Sequence, residues 1–236
     1  MRSTAFNALC VAALLTVSAC QSQNASTVGA TPAASPSHAA SVTATPVDTT
    51  TAPTDPAGLT LPVDALNRIV QQANPGAAQF DSLDPAETTP RVPDPGPMAV
   101  CDSVNTLYFA AGDPAATKYV SQWAGAPQQH SVSQAIAVYD SAATASHKFG
   151  QLTAEVPECA KASAGHDIPF IVVPGDTGPD VVRFTRKRKP NPSLSGGGSS
   201  DATEYRLTGS AIVGVSSTES AAVVSAVVDK LVDKLG

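Results

Sequence analysis

The sequence predicts an α+β fold: a twisted antiparallel sheet with helices packed on one face, preceded by a signal peptide and a disordered linker. Segments of period-two alternation read as strands, and stretches with apolar residues at helical spacing separate them in the order helix, strands, helix, strands, helix. What precedes them differs in composition. Residues 21–58 hold thirteen Ser and Thr and five Pro but no Lys, Arg, Phe, Trp or Tyr.

The chain opens with Arg2, the only charged residue before Asp48, then an apolar run from Phe6 to Val17 broken by Asn7 and Thr16. About a dozen apolar residues suit the central region of a signal peptide, whereas a spanning helix needs ~20. The run ends in Val17-Ser18-Ala19-Cys20, which resembles the bacterial lipobox. That resemblance implies removal of residues 1–19, transfer of a diacylglycerol to the Cys20 thiol, and anchoring at the extracytoplasmic face of the cell membrane. Small residues fit the protease subsites just upstream, and only a thiol forms the thioether. Two acyl chains anchor stably where one is marginal. The alternative is a secreted chain cut after Ala19, with Cys20 an incidental thiol.

Residues 20–58 then form a linker too poor in apolar groups to offset its chain entropy. With flexible-chain scaling it spans about 35 Å, enough to lift a domain off the bilayer. Residues 59–236 are one domain's worth of chain.

Within that domain Pro62 suits a first helical turn; Val63, Leu66, Ile69 and Val70 share a face, and Asn74-Pro75-Gly76 ends the helix. Residues 81–97, rich in Asp and Pro, read as a surface wrap, and Val104 to Phe109 is ambiguous between helix and strand. Tyr119 to Trp123 and Val132 to Tyr139 read as paired strands. Ala145, Phe149, Leu152 and Val156 mark a helix expected to end near Pro157-Glu158-Cys159. Ile168 to Val173, Val181 to Thr185, Thr203 to Leu207 and Ser210 to Val215 are further strands. Ser216-Ser217-Thr218-Glu219 has a capping-box pattern, and Val224, Val227, Val228, Leu231 and Leu235 form the stripe of a closing helix.

Without its leader the chain carries thirteen Lys and Arg against twenty Asp and Glu, a net charge of −7, which gives no general attraction to nucleic acid. Past Cys20 only Cys101 and Cys159 remain, an even pair expected to form a disulfide in an oxidising compartment, the alternative being two free thiols. His130, His147 and His166 lack metal-ligand spacing, and no metal or cofactor is expected. No Gly-x-Ser-x-Gly elbow, Ser-x-x-Lys, His-Glu-x-x-His or phosphate-binding Gly-rich loop occurs, so no catalytic residue is assigned. Asp167, Asp176 and Asp180, with His166, read as turn chemistry.

Two features stand out as contact candidates. Arg183 and the run Arg186-Lys187-Arg188-Lys189 make a positive tip in an acidic domain. It suits anionic head groups or a phosphorylated glycan at ~1 kcal/mol per basic residue, or is a solvated strand end that discourages edge pairing. Trp123, the only tryptophan, stands near Tyr119 and is either a core anchor or a cleft residue that stacks a sugar or lipid.

The order of these pieces carries a resemblance. A Leu-Pro-x-x-x-Leu-Asn opening (Leu61 to Asn67) precedes a Pro-rich loop and Cys101. Gln134 to Tyr139, a helix with Phe149, Cys159 closing it, a Val-rich strand and an amphipathic helix follow. Residues 59–236 thereby resemble the PknH-like extracellular (sensor) domain family of mycobacteria and its free-standing lipoprotein members. The resemblance implies an actinobacterial cell envelope, a sheet with helices beside a cleft, and a sensing or ligand-binding role without catalytic chemistry. It also implies a second disulfide tying the last strands. Here the corresponding stretches, Thr203-Glu204-Tyr205 and Gly214-Val215-Ser216, have no cysteine.

The expected protein is therefore a cell-envelope lipoprotein, held to the membrane through Cys20, whose non-enzymatic domain binds a small molecule, glycan, lipid or envelope protein. The alternatives are a lipid or glycolipid carrier, which needs a large apolar cavity, and an envelope hydrolase.

Overall fold

The computed structural model describes residues 56–77, 79–89, 99–101, 104, 115–126, 130–165, 168–190 and 199–236. The leader, Cys20, nearly all of the linker, residues 105–109, the His166-Asp167 pair and most of the Gly-rich loop lie outside the described residues. Among those described, seven strands form one antiparallel sheet: β1 (Ser82–Leu83), β2 (Ala116–Ala126), β3 (His130–Tyr139), β4 (Phe170–Thr177), β5 (Val181–Arg188), β6 (Ser200–Thr208) and β7 (Ala211–Ser217). Their order across the sheet is β1-β2-β3-β7-β6-β5-β4. Three α-helices of the described residues accompany it: α1 (Val63–Ala73), α2 (Ala142–Ser163) and α3 (Ala221–Leu235). The expected class is what forms.

The hairpins follow from turn chemistry. β6 and β7 pair Thr208 with Ala211 across Gly209-Ser210, and Gly209 takes φ +53°, a left-handed value that a two-residue hairpin favours. The closing β3–β7 pairing sets Val132 to Val138 against Ser217 to Ala211 and puts the two strands at the sheet's centre.

Helices cover both faces rather than one. Val132 and Ile136 of β3 and Val213 and Val215 of β7 face a core with α1 and α3, built on Leu66, Val70, Val224, Val227, Val228 and Leu231. Ala135, Ala137 and Tyr139 of β3 and Ile212 of β7 face the other way, toward Phe149, Leu152 and Val156 of α2. The physical reason lies in the central strands: β7 is buried at six of its seven positions, so both its sides need cover.

The Leu61-to-Asn67 opening docks by its polar groups as well as by its stripe. Gln134, fully buried, accepts from the Leu61 amide at 2.9 Å and donates to the Leu61 carbonyl at 3.1 Å, as a strand neighbour would. Asn67 does the same for Phe80, at 2.7 and 3.0 Å. At the far end of α3, Lys234 donates to the Thr60 carbonyl at 2.6 Å, tying the closing helix to this segment.

Two helix boundaries differ from the sequence reading. α2 runs through Pro157 to Ser163. Its last turns are held by Cys159, joined to Cys101, and by buried Ser163, whose hydroxyl accepts from Val172 of β4 at 2.9 Å. α3 is capped by Ser220, whose side chain accepts from Val223, and not by Ser216. Ser216 and Ser217 stay in β7 because they pair with Thr203 and Ala202 on one side and Ser133 and Val132 on the other. Among the described residues no helix is long and apolar enough to cross a membrane.

Candidate functional site

α2 packs chiefly against β4. Toward the end of the sheet where β2, β5 and β7 finish and β3 and β6 begin, no helix among the described residues covers the same face, and a cleft of about 320 Å³ lies there. Period-two alternation decides what lines it. β2 contributes Tyr119, Ser121 and Trp123; β3 contributes Ser133; β6 contributes Thr203 and Tyr205; β7 contributes Ser216. The Thr203 hydroxyl donates to that of Ser216 at 3.0 Å across the floor. Tyr119 and Tyr205 are buried beneath, and burial pushes the Tyr205 hydroxyl well above the usual phenol range, so it stays neutral at any physiological pH.

One wall is the 82–87 segment, which runs along the outer edge of β2. The Asp84 amide donates to the Trp123 carbonyl at 2.9 Å, Glu87 and Ser121 exchange backbone bonds at 2.9 and 2.8 Å, and Gln122 donates to the Asp84 carbonyl at 2.9 Å. These bonds hold Asp84 and Glu87 at the cleft. The opposite wall is Arg186, which bonds Asp201 at 2.8 Å and lies 5.8 Å above the Phe170 ring.

Trp123 sits at the mouth and is 45% exposed, so it is a cleft residue and not a core anchor. Tyr119 joins it at the floor, and Arg186 at the wall. The rest of the basic group does not converge there. Arg183 is on the opposite face, bonded to Glu204 at 2.8 Å. Lys187 and Arg188 are exposed at the end of β5, and Lys189 is half-buried, donating to the Gly165 carbonyl. Cys101 and Cys159 are joined, fastening the short helical turn Ala99–Cys101 to α2.

Sequence reasoning missed Asp84, Glu87, Ser121, Ser133, Thr203 and Ser216. The available signal was parity: on β2 and β3, serines occupy positions that share a face with buried aromatics, which is unusual unless that face is partly uncovered.

The fold and this cleft define a class: an α+β domain whose single antiparallel sheet carries helices on both faces and an open, hydroxyl-lined cleft on one. The chain belongs to the PknH-like extracellular domain family, whose sequence profile matches residues 51–234. It is thus a sensor-like extracellular domain. Among solved structures, the extracellular domain of PknH from Mycobacterium tuberculosis is similar, with a TM-score of 0.57 and 13% identity over 76% of this chain and 93% of that chain. At that identity the likeness is one of fold. No curated protein sequence matches the chain significantly.

Proposed function

We propose that this protein is a lipid-anchored, non-enzymatic binding lipoprotein that presents the cleft outside the membrane to an envelope ligand. The observation that carries the binding reading is the cleft itself, a concave site where four strands and the 82–87 segment bring hydroxyls, acidic residues and one exposed indole together. Anchoring is supported by the register of leader and Cys20, and the Ser/Thr/Pro-rich segment acts as a spacer.

The hydrolase alternative finds little support. His130 bonds Glu219 at 2.6 Å, but the hydroxyls beside that pair are engaged with backbone: Ser217 donates to the Ser131 carbonyl at 2.7 Å, and Thr218 accepts from the Ser131 amide at 2.9 Å. This is a cap joining β3 to the start of α3. The carrier alternative needs an apolar interior, and the cleft floor is rich in hydroxyls.

Two measurements test the reading. Cells fed alkyne-tagged palmitate should label the full chain and not its Cys20→Ala variant; an unlabelled native chain refutes anchoring. Native mass spectrometry of the protein from its own envelope should show retained ligand mass that is lost on denaturation. A bare mass from every preparation argues against a cleft that holds its ligand.

A further inference from the structure

The indole of Trp123 lies where a side chain at residue 125 would stand. Trp123 and Gly125 share one face of β2, and the six-membered part of the indole lies over the Gly125 backbone. A Cβ at Gly125 would stand 2.1 Å from Trp123 Cη2 and 2.5 Å from Cζ3, so any larger residue pushes the ring off the strand. Gly125 thereby leaves room for the ring against the strand, with much of the residue still exposed. An aromatic side chain offers a large contact area and loses little entropy on binding.

Around this platform the cleft presents hydroxyls from Ser121, Ser133 and Thr203 and the carboxylate of Asp84. Among the described lining residues Arg186 is the one cation, and Asp201 already balances it, while Asp84 brings negative charge. An anionic ligand would meet that carboxylate. An acyl chain would strip water from the hydroxyls and return no hydrogen bond. A sugar ring fits both halves of the site, with a face of C–H groups for the indole and a rim of hydroxyls that donate to carboxylates and exchange bonds with serines.

We propose that the cleft binds a neutral carbohydrate, one ring of which stacks on Trp123 above Gly125; the inference rests on the cleft being the binding site. Because Trp123 is the chain's only tryptophan, its emission reports on the site directly. Full-length protein is titrated with neutral hexasaccharides of glucose, mannose and N-acetylglucosamine, and separately with palmitate. Calorimetry then compares Trp123→Ala, Trp123→Phe and Gly125→Ala.

At least one hexasaccharide should give a saturable emission shift. Affinity should fall about 30-fold in Trp123→Ala, the scale of a truncated interface tryptophan, and less in Trp123→Phe. Gly125→Ala keeps the indole but displaces it, so it should also bind more weakly than the native chain. A saturable shift with palmitate and none with any sugar overturns the carbohydrate while leaving a binding cleft. Sugar binding unaffected by both Trp123→Ala and Gly125→Ala overturns the stacking site. Silence toward every probe overturns the inference, and a bare native mass removes the cleft reading with it.

Discussion

Replacing Glu204 by Gln should destabilise the domain by about 3 kcal/mol, an estimate that follows from its bonds. Glu204 is 1% exposed on the α3 face of β6. Its carboxylate accepts from Arg183 at 2.8 Å, from the Ser225 hydroxyl of α3 at 2.5 Å, and from Arg206. Burial pushes the carboxyl group up, but the three donors together outweigh it and hold the group below the usual Glu value. The Gln side chain keeps the shape and removes the charge. Arg206 then still has Asp229, whereas Asp176, 4.0 Å away and 92% exposed, is the one acidic partner left to Arg183 among the described residues. Hydrogen bonds to charged groups contribute ~1.5–3 kcal/mol each, and the partly exposed arginines argue for the lower end. Urea denaturation should read that loss, and heating should show a Tm lower by about 6–12 °C for a domain of this size. The pH dependence has a definite sign. A carboxyl whose folded pKa is depressed contributes stability that is complete above the unfolded value near 4.5 and lost as pH falls through the folded value. The native chain and Glu204→Gln should therefore differ fully at neutral pH and converge in acid. A loss under about 1 kcal/mol, or a gap that persists below the folded pKa, would refute the network's role.

Gln134→Ala leaves the buried Leu61 amide and carbonyl without their partner; it should cost about 2–4 kcal/mol in urea and speed hydrogen exchange at Leu61, and unchanged exchange there would contradict the docking role. Pro157 lies exposed inside α2, so Pro157→Ala restores a helical N–H and should raise stability by about 1–3 kcal/mol; no gain would mean that the helix is already shaped around the proline. The Cys101–Cys159 bond closes a separation of 58 residues, so the double serine variant should lose about 4 kcal/mol on the chain-entropy estimate, and intact protein should weigh two hydrogens less than the reduced chain. Lys187→Ala with Arg188→Ala should leave stability within about 0.5 kcal/mol, since both are exposed; a larger loss would show that the end of β5 depends on them.

Local periodicity made most of the elements legible. The stripes of α1 and α3 and the alternation of β3 are one-dimensional signals that burial enforces directly. What failed had a non-local cause in each case. Pro157 suggests a helix end, but a disulfide at Cys159 and a strand contact at Ser163 hold the helix beyond it. Ser216 to Glu219 has the pattern of a cap, but two neighbouring strands claim its first two residues first. The division of helices between two faces depends on how many sides of β7 are covered, which no single segment encodes. The cleft was the least legible part. Trp123 drew notice by its rarity, while Ser121, Ser133, Thr203 and Ser216 are common residues that acquire meaning only when four strands set them side by side.

The stretch Thr203-Glu204-Tyr205 brings stability and recognition together. The family resemblance implies a covalent tie between the last strands near this point, and the chain has none there. Alternation sends Glu204 to one face and its two neighbours to the other. On the α3 face Glu204 joins β5, β6 and the closing helix through Arg183, Arg206 and Ser225, which is a cross-link made of charge and hydrogen bonds. On the cleft face Thr203 meets Ser216 hydroxyl to hydroxyl. With the cross-link on the helix-covered face, the cleft face is free to stay polar. A chain stabilised this way can vary its cleft with little effect on its fold, so Glu204→Gln should weaken folding more than Trp123→Ala does, and Trp123→Ala should weaken binding far more than Glu204→Gln.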